Sequence, residues 1–273
     1  MKHKILVVGH GYIATHIKNH LPCQISKHRI SSYKDIEKLI QKHTPTLIIN
    51  CIGHTGKNNV DDCEKAIDKT LLANSFVPIL LLEACLRHQI KLVHISSGCI
   101  FHYQYGKQRP IEENHIPDYY DLFYSRSKIY FENILAHLRK PFNILNLRIR
   151  IPLNFQPHPK NLLTKLIKYQ RIIDAPNSVT YIPDFMRALK HLISINAYGT
   201  YNIVLKGGLS YPSLMAAYKK LNPKYEYKII SYKKLKLNRT NLILSTRKLE
   251  KTGFKVRTPV EVIKKCVAEY VKY

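Results

Sequence analysis

The first apolar run, Lys4-Ile5-Leu6-Val7-Val8, stops at Gly9-His10-Gly11-Tyr12-Ile13-Ala14, and no other junction restricts the chain as much. Gly9 permits a tight turn, Gly11 lets a ligand come close to the backbone, and small Ala14 allows the following helix to pack on the strand. The helix start at Tyr12 and Ile13 adds amide donors and a positive dipole end, which suits a pyrophosphate. A G-x-G-x-x-A directly after a strand therefore makes Gly9, Gly11, Tyr12 and Ile13 candidates for holding a dinucleotide. Helices and strands then alternate along the chain: a helix over 11–21, a strand over 24–26, a helix over 33–43 and a strand over 47–52 closed by Gly53. A long helix over 62–88 and a strand over 91–95 come next. Continuous apolar strands separated by helices predict an α/β fold, a Rossmann-type doubly wound parallel sheet. Beyond Arg150 the alternation loosens and prolines gather (Pro152, Pro157, Pro159, Pro176, Pro183). The expected division is a dinucleotide-binding domain over 1–150 and a smaller substrate-binding lobe over 151–273, with some segments returning to the first domain.

Composition narrows the function classes. Hydrophobic residues make up 45 % of the 273 positions, with 19 Tyr and 8 Phe, which excludes a disordered chain. The 44 Lys and Arg outweigh the 18 Asp and Glu, for a net charge of +26. They are spread along the chain with no basic tail, so nucleic acid is not an expected partner. The field would instead draw in an anionic, nucleotide-bearing substrate. The longest apolar stretch, 71–86, is interrupted by Asn74, Ser75 and Glu83, so no membrane span is expected. Six cysteines without a CxxC pair indicate neither a zinc ribbon nor a disulfide framework. His16 and His20 share a helix face but lack a third ligand, and no metal is expected. A reduced, cytoplasmic protein is the expectation.

Two further patterns carry chemistry. If the cofactor were NAD, the second strand should end in an acid for the ribose hydroxyls. It ends in Lys27-His28-Arg29, with no acid before Asp35. Arg29, helped by Lys27, suits the 2′-phosphate of NADPH, and NADH stays open as the alternative. The other pattern is Tyr124-Ser125-Arg126-Ser127-Lys128, preceded by Ser96-Ser97 at a strand end. Positions i and i+4 share a helix face. Tyr124 can give its proton to a carbonyl oxygen as hydride arrives, Lys128 can lower the phenol pKa and hold the nicotinamide ribose, and Ser97 can hydrogen-bond the same oxygen.

With these residues in view, the chain resembles the extended short-chain dehydrogenase/reductases, within them the dTDP-4-dehydrorhamnose reductase-like group. The resemblance rests on GHGYIA at 9–14, NCIG at 50–53, Asn74, SSGCIF at 96–101, YSRSK at 124–128, LRIRIP at 147–152 and NRTNLILSTRKLEKTGF at 238–254. HTGKNNVDDCE at 54–64, SGCIF at 97–101, HPKNLLTKLIKY at 158–169 and APNSVT at 175–180 are similar to the bifunctional UDP-4-keto-6-deoxyglucose 3,5-epimerase/4-reductases. The resemblance implies that Asn50, Cys51 and Gly53 join the cofactor set. It implies that Ser97, Gly98, Cys99, Asn74, Arg150, Asn161 and Lys165 meet the substrate. It also implies that Cys99 and Lys165 form an extra acid/base pair for epimerisation. The expected activity is conversion of UDP-4-keto-6-deoxy-D-glucose to UDP-L-rhamnose with NADPH. The alternatives are a plain dTDP- or UDP-linked 4-reductase and a non-catalytic NADP-binding regulatory subunit. A homodimer is left open. Asp61, Asp62 and Glu64 are read as capping the long helix, and Asn74 as satisfying a buried backbone group or holding a relay water.

Overall fold

The structure, a computed structural model, describes residues 3–57, 59–138, 142–232 and 240–273. Asn58 of the 54–64 motif and Asn238 and Arg239 of the 238–254 motif lie outside them. The chain forms two compact units. The first comprises 1–100, 117–148 and 192–201, and the second 101–116, 149–191 and 202–273.

In the first unit, β1 (Ile5–Val8), β2 (Gln24–Ser26), β3 (Leu47–Asn50) and β4 (Lys91–Ser97) alternate with α1 (Tyr12–His20), α2 (Tyr33–His43), α3 (Ile67–Leu71) and α4 (Val77–Arg87). Then come α5 (Phe123–His137) and β5 (Ile144–Ile149). The strands stand in the order β2-β1-β3-β4-β5-β9, with β9 at Gly199–Ile203. β1 pairs in parallel with both β2 and β3, and β3 with β4. From β1 the chain moves outward to β2 and then crosses to β3 on the other side. The switch point, where doubly wound sheets bind ligands, is the crevice beyond the carboxyl ends of β1 and β3. Strands buried on both faces explain the unbroken apolar runs. Leu6, Val8 and Ile48 pack with Ile36 and Leu39 of α2, Leu81 of α4 and Phe131 of α5.

Three expected boundaries shift. Strand β3 stops at Asn50, because the Asn50 side-chain oxygen takes the Ile52 amide at 2.9 Å. Strand β4 runs on through Ser96 and Ser97. The expected helix over 62–88 is composite: a 3-10 segment at Val60–Lys65, α3, a π turn at Leu72–Phe76 and α4. The stretch Ile67–Arg87 is long and apolar enough for a membrane span, with mean hydropathy 1.5, yet half of that window is buried inside the protein.

The second unit holds β6 (Pro152–Leu153) paired with β8 (Thr180–Tyr181), and β7 (Arg171–Ile173) paired with β10 (Lys228–Ile230). Its core gathers Leu162, Leu163 and Leu166 of α6 (Leu162–Tyr169), Leu214 and Met215 of α8 (Tyr211–Leu221), and Val262 and Cys266 of α10 (Pro259–Tyr270). Helices α7 (Ile182–Ser194) and α9 (Arg247–Glu250) complete the chain.

Candidate active site

Gly9 sits at φ +95°, and a Cβ there would lie 3.0 Å from the Cys51 carbonyl carbon and the Ile52 nitrogen. Only glycine lets the ends of β1 and β3 close up in this way. Gly11 is the N-cap of α1, no side chain caps that helix, and a Cβ on Gly11 would meet nothing within 4 Å. An uncapped helix start under open backbone fits a pyrophosphate. Asn50 is fully buried and holds both neighbours: Oδ1 accepts from Ile52, and Nδ2 donates to His94 Nδ1 at 3.0 Å. That bond places the His94 proton on Nε2. Burial first, and then Lys128, hold the imidazole well below its usual range, so it is neutral. Burial likewise pushes the Cys51 thiol upward, so Cys51 offers backbone and bulk but no charge.

Beyond β2, Arg29 and Lys27 are exposed, and Arg29 forms no ion pair among the described residues. Asp35 belongs to the capping box of α2. It takes hydrogen bonds from the Ser31 and Ser32 amides and from His28, which hold it well below the usual carboxylate range. The nearest acid after β2 is thus already committed.

The YxxxK helix is pinned from three sides. Glu64 accepts from the Phe123 amide at 2.5 Å and pairs with Arg126 at 3.6 Å. Glu64 therefore caps α5 across the fold and does not start the helix after it; Asn59 caps the 3-10 turn. The π turn presents Asn74 and Ser75, which donate to Ser127 Oγ at 3.0 Å and to the Ser127 carbonyl at 2.7 Å. Ser125 Oγ donates to the Cys99 carbonyl at 2.6 Å, tying the residue beside Tyr124 to the loop after Ser97. Ser97 Oγ accepts from the Cys99 amide at 3.1 Å. A hydroxyl used as acceptor keeps its hydrogen to donate elsewhere.

Tyr124 and Lys128 are both buried on this helix. A Cβ on Gly53 would lie 3.4 Å from Asn74 Oδ1 and 3.5 Å from Lys128 Nζ, so the ammonium reaches the end of β3. Burial pushes Lys128 down to about 8, against the opposing pull of Glu132 and Cys63. The first unit thus brings Asn50, Gly53, Ser97, Gly98, Cys99, Tyr124 and Lys128 to the carboxyl ends of β3 and β4. Cys99 is half-buried there.

Three expected substrate residues, Asn74, Asn161 and Arg150, make side-chain hydrogen bonds within the protein. Asn74 is fully buried, accepting from the His54 amide at 2.8 Å and donating to the His54 carbonyl at 3.0 Å; it satisfies backbone and joins the π turn to the β3 loop. Asn161, also fully buried, accepts from the Asn154 and Leu163 amides and donates to the Asn154 and Gln156 carbonyls. An amide side chain has two donors and two acceptor sites, and all four are used. Asn161 therefore builds the start of α6, with its side-chain hydrogen bonds all made inside the protein. Arg150, in the second unit, is buried and donates to Thr240 and Asn177, bracing two loops. Lys165 is half-buried on α6 of the second unit.

The motifs read from the sequence do not include Glu132. It lies 3 % exposed on α5 and accepts from Ser96, Asn146 and Arg148. Tyr124, Lys128 and Glu132 recur every fourth residue, a stripe that could have found it. Ser125 and Ser127, equally unexpected, leave no periodic signal.

The sequence profile of the RmlD substrate binding domain matches residues 8–184. An Arabidopsis thaliana trifunctional UDP-glucose 4,6-dehydratase/UDP-4-keto-6-deoxy-D-glucose 3,5-epimerase/UDP-4-keto-L-rhamnose-reductase is 27 % identical over 216 residues, 77 % of this chain. That alignment covers 32 % of the plant protein, so the chain spans about a third of its length. The crystal structure of a UDP-rhamnose synthase from Acanthamoeba polyphaga mimivirus superposes with a TM-score of 0.90 at 23 % identity, covering 98 % of this chain and all of that one. A Bacillus anthracis dTDP-4-dehydrorhamnose reductase in complex with NADP gives 0.82 at 20 % identity, covering 98 % and 100 %. At these identities the two structures establish a shared fold.

Proposed function

The chain belongs to the RmlD substrate-binding-domain family, and from that premise we propose that it is an NADPH-dependent nucleotide-sugar reductase that also epimerises its substrate, taking UDP-4-keto-6-deoxy-D-glucose to UDP-L-rhamnose. The observation that carries the reading is a helix face bearing Tyr124 and Lys128, pinned through Ser125 to the loop after Ser97. A reductase-containing plant enzyme, a UDP-rhamnose synthase and an NADP-bound reductase among its relatives support the substrate and cofactor class.

NADPH, when bound, supplies the hydride to C4 of the sugar. Gly9 and Gly11 clear the backbone for its pyrophosphate, α1 points its amino end there, and Arg29 with Lys27 favours the 2′-phosphate. Lys128 holds the ribose hydroxyls of the nicotinamide half, and its charge beside Tyr124 makes the phenol a better acid. Ser97 donates to the C4 oxygen, stabilising the negative charge that grows there. Tyr124 then gives that oxygen its proton.

Epimerisation needs other groups. C3 and C5 flank the ketone, so loss of either proton is eased by the enolate, and inversion needs removal on one face and return on the other. We assign these proton transfers to Cys99, two residues past Ser97, and to Lys165 of α6. A plain 4-reductase is the second reading, and the effect of Cys99 and Lys165 substitutions on proton exchange decides between them.

The test is deuterium exchange in D₂O without NADPH, measured against spontaneous exchange in buffer. Wild type should exchange the α positions of the 4-keto sugar faster than buffer, and Tyr124→Phe should keep much of that exchange while losing reduction. Cys99→Ala should lose exchange at one or both positions with NADPH binding intact, and Lys165→Ala should impair epimerisation. Wild-type exchange no faster than buffer, or unchanged exchange in Cys99→Ala, would reduce the function to the plain 4-reductase.

A further inference from the structure

The most heavily bonded buried acid in the first unit lies just outside the catalytic trio. Glu132 follows Lys128 by one helical turn, as Lys128 follows Tyr124, so the three share one face of α5. Its Oε1 accepts from Ser96 Oγ at 2.6 Å and from Asn146 Nδ2 at 2.9 Å. Its Oε2 accepts from Arg148 Nε at 3.1 Å and Nη2 at 2.7 Å. Ser96 is the immediate neighbour of Ser97 on β4, while Asn146 and Arg148 stand on β5. One carboxylate thus ties the strand end that carries Ser97, the next strand, and the helix that carries Tyr124 and Lys128.

Burying an ion pair is a poor way to gain stability, since desolvation offsets most of the attraction. A packed apolar side chain would join α5 to β4 and β5 as well. What an apolar residue could not supply is negative charge beside a buried ammonium. The groups around Lys128 leave that task to Glu132. His94 from β4 is neutral, the Cys63 thiol from the 3-10 segment is pushed up by burial, and Arg148 from β5 is spent on Glu132 itself.

We propose that Glu132 is a positioning residue for the reduction: it fixes Ser97 against the Tyr124 and Lys128 face and sets a carboxylate one helical turn from the buried Lys128 ammonium. The inference rests on the reductase reading, and its test separates the two. Lysine labelled with ¹³C at Cε reports the titration of Lys128 without substrate, its signal assigned with Lys128→Met. In Glu132→Gln that midpoint should fall by about 1 pH unit, the lower end of what an adjacent opposite charge produces. The alkaline limb of kcat for NADPH oxidation should move down with it. Because Glu132→Gln strands the Arg148 charge and can unfold the unit, the double variant Glu132→Gln/Arg148→Met removes both charges, and its midpoint should fall by less than in Glu132→Gln, since loss of the Arg148 charge offsets part of the change. A folded variant with the wild-type midpoint overturns the proposal. So does failure of both variants to fold, since that is the behaviour of a purely structural carboxylate. Wild type that titrates as expected but oxidises no NADPH at any pH would instead reject the reductase reading.

Discussion

Lys128 and His94 are bases held in apolar surroundings, and both leave a signature in stability. The Lys128 midpoint of about 8 lies below its ordinary 10.5. The folded state therefore carries a strained ammonium below pH 8, and the strain is relieved as pH rises toward the unfolded value. From that shift, the stabilisation gained by Lys128→Met should shrink by about 3 kcal/mol between pH 7 and pH 10.5 in urea titrations. A gain independent of pH would mean that Lys128 is solvated. His94 is neutral when folded and takes a proton on unfolding below its ordinary 6.5. Stability should thus fall as pH drops from 6.5 to 5, and His94→Gln should flatten that limb; an equally steep limb in the variant would place the acid-sensitive group elsewhere. Arg29→Ala should weaken NADPH binding by about 1.5–3 kcal/mol, the worth of a charge-assisted hydrogen bond, and leave NADH binding nearly unchanged. Equal losses, measured by fluorescence titration, would show that Arg29 serves the fold.

At the scale of elements, much of the architecture was legible because apolar runs and glycine junctions are local signals. Helix α2 begins and ends where the 33–43 pattern put it, and Gly9 shows the positive φ that its turn requires. The π turn was not legible. Its wide geometry serves Asn74 and Ser75, whose partner Ser127 is some fifty residues away, and no local pattern announces such a contact. Glu64 was misread for the same reason, since an acid near a helix start looks like a local cap whether or not it reaches another helix. Asn161 is a substrate residue only by resemblance, and its side-chain hydrogen bonds are all internal. Asn161→Ala should therefore cost stability, roughly 1–3 kcal/mol from stranded buried backbone groups, while the KM of the folded enzyme for its sugar substrate stays at the wild-type value. A raised KM at unchanged stability would restore Asn161 to the substrate set.

For the whole molecule, the residues proposed for reduction all belong to the first unit. The Ser97 strand end and the face of α5 are joined by side-chain bonds that lie within it, and the glycines at the switch point belong to it as well. The +26 charge adds a long-range term that acts on encounter and not on chemistry. Raising ionic strength should lower kcat/KM for the anionic sugar nucleotide more than kcat, and parallel losses in both would argue against steering. Reduction of a 4-keto sugar nucleotide by NADPH through Tyr124 is tested most directly by one incubation. The protein alone is mixed with UDP-4-keto-6-deoxy-D-glucose and NADPH, cofactor oxidation is followed by absorbance, and the product sugar is identified by NMR. One NADPH should be consumed per sugar and UDP-L-rhamnose should form, with both lost in Tyr124→Phe. No NADPH oxidation by wild type, or full turnover by Tyr124→Phe, would refute reduction through Tyr124.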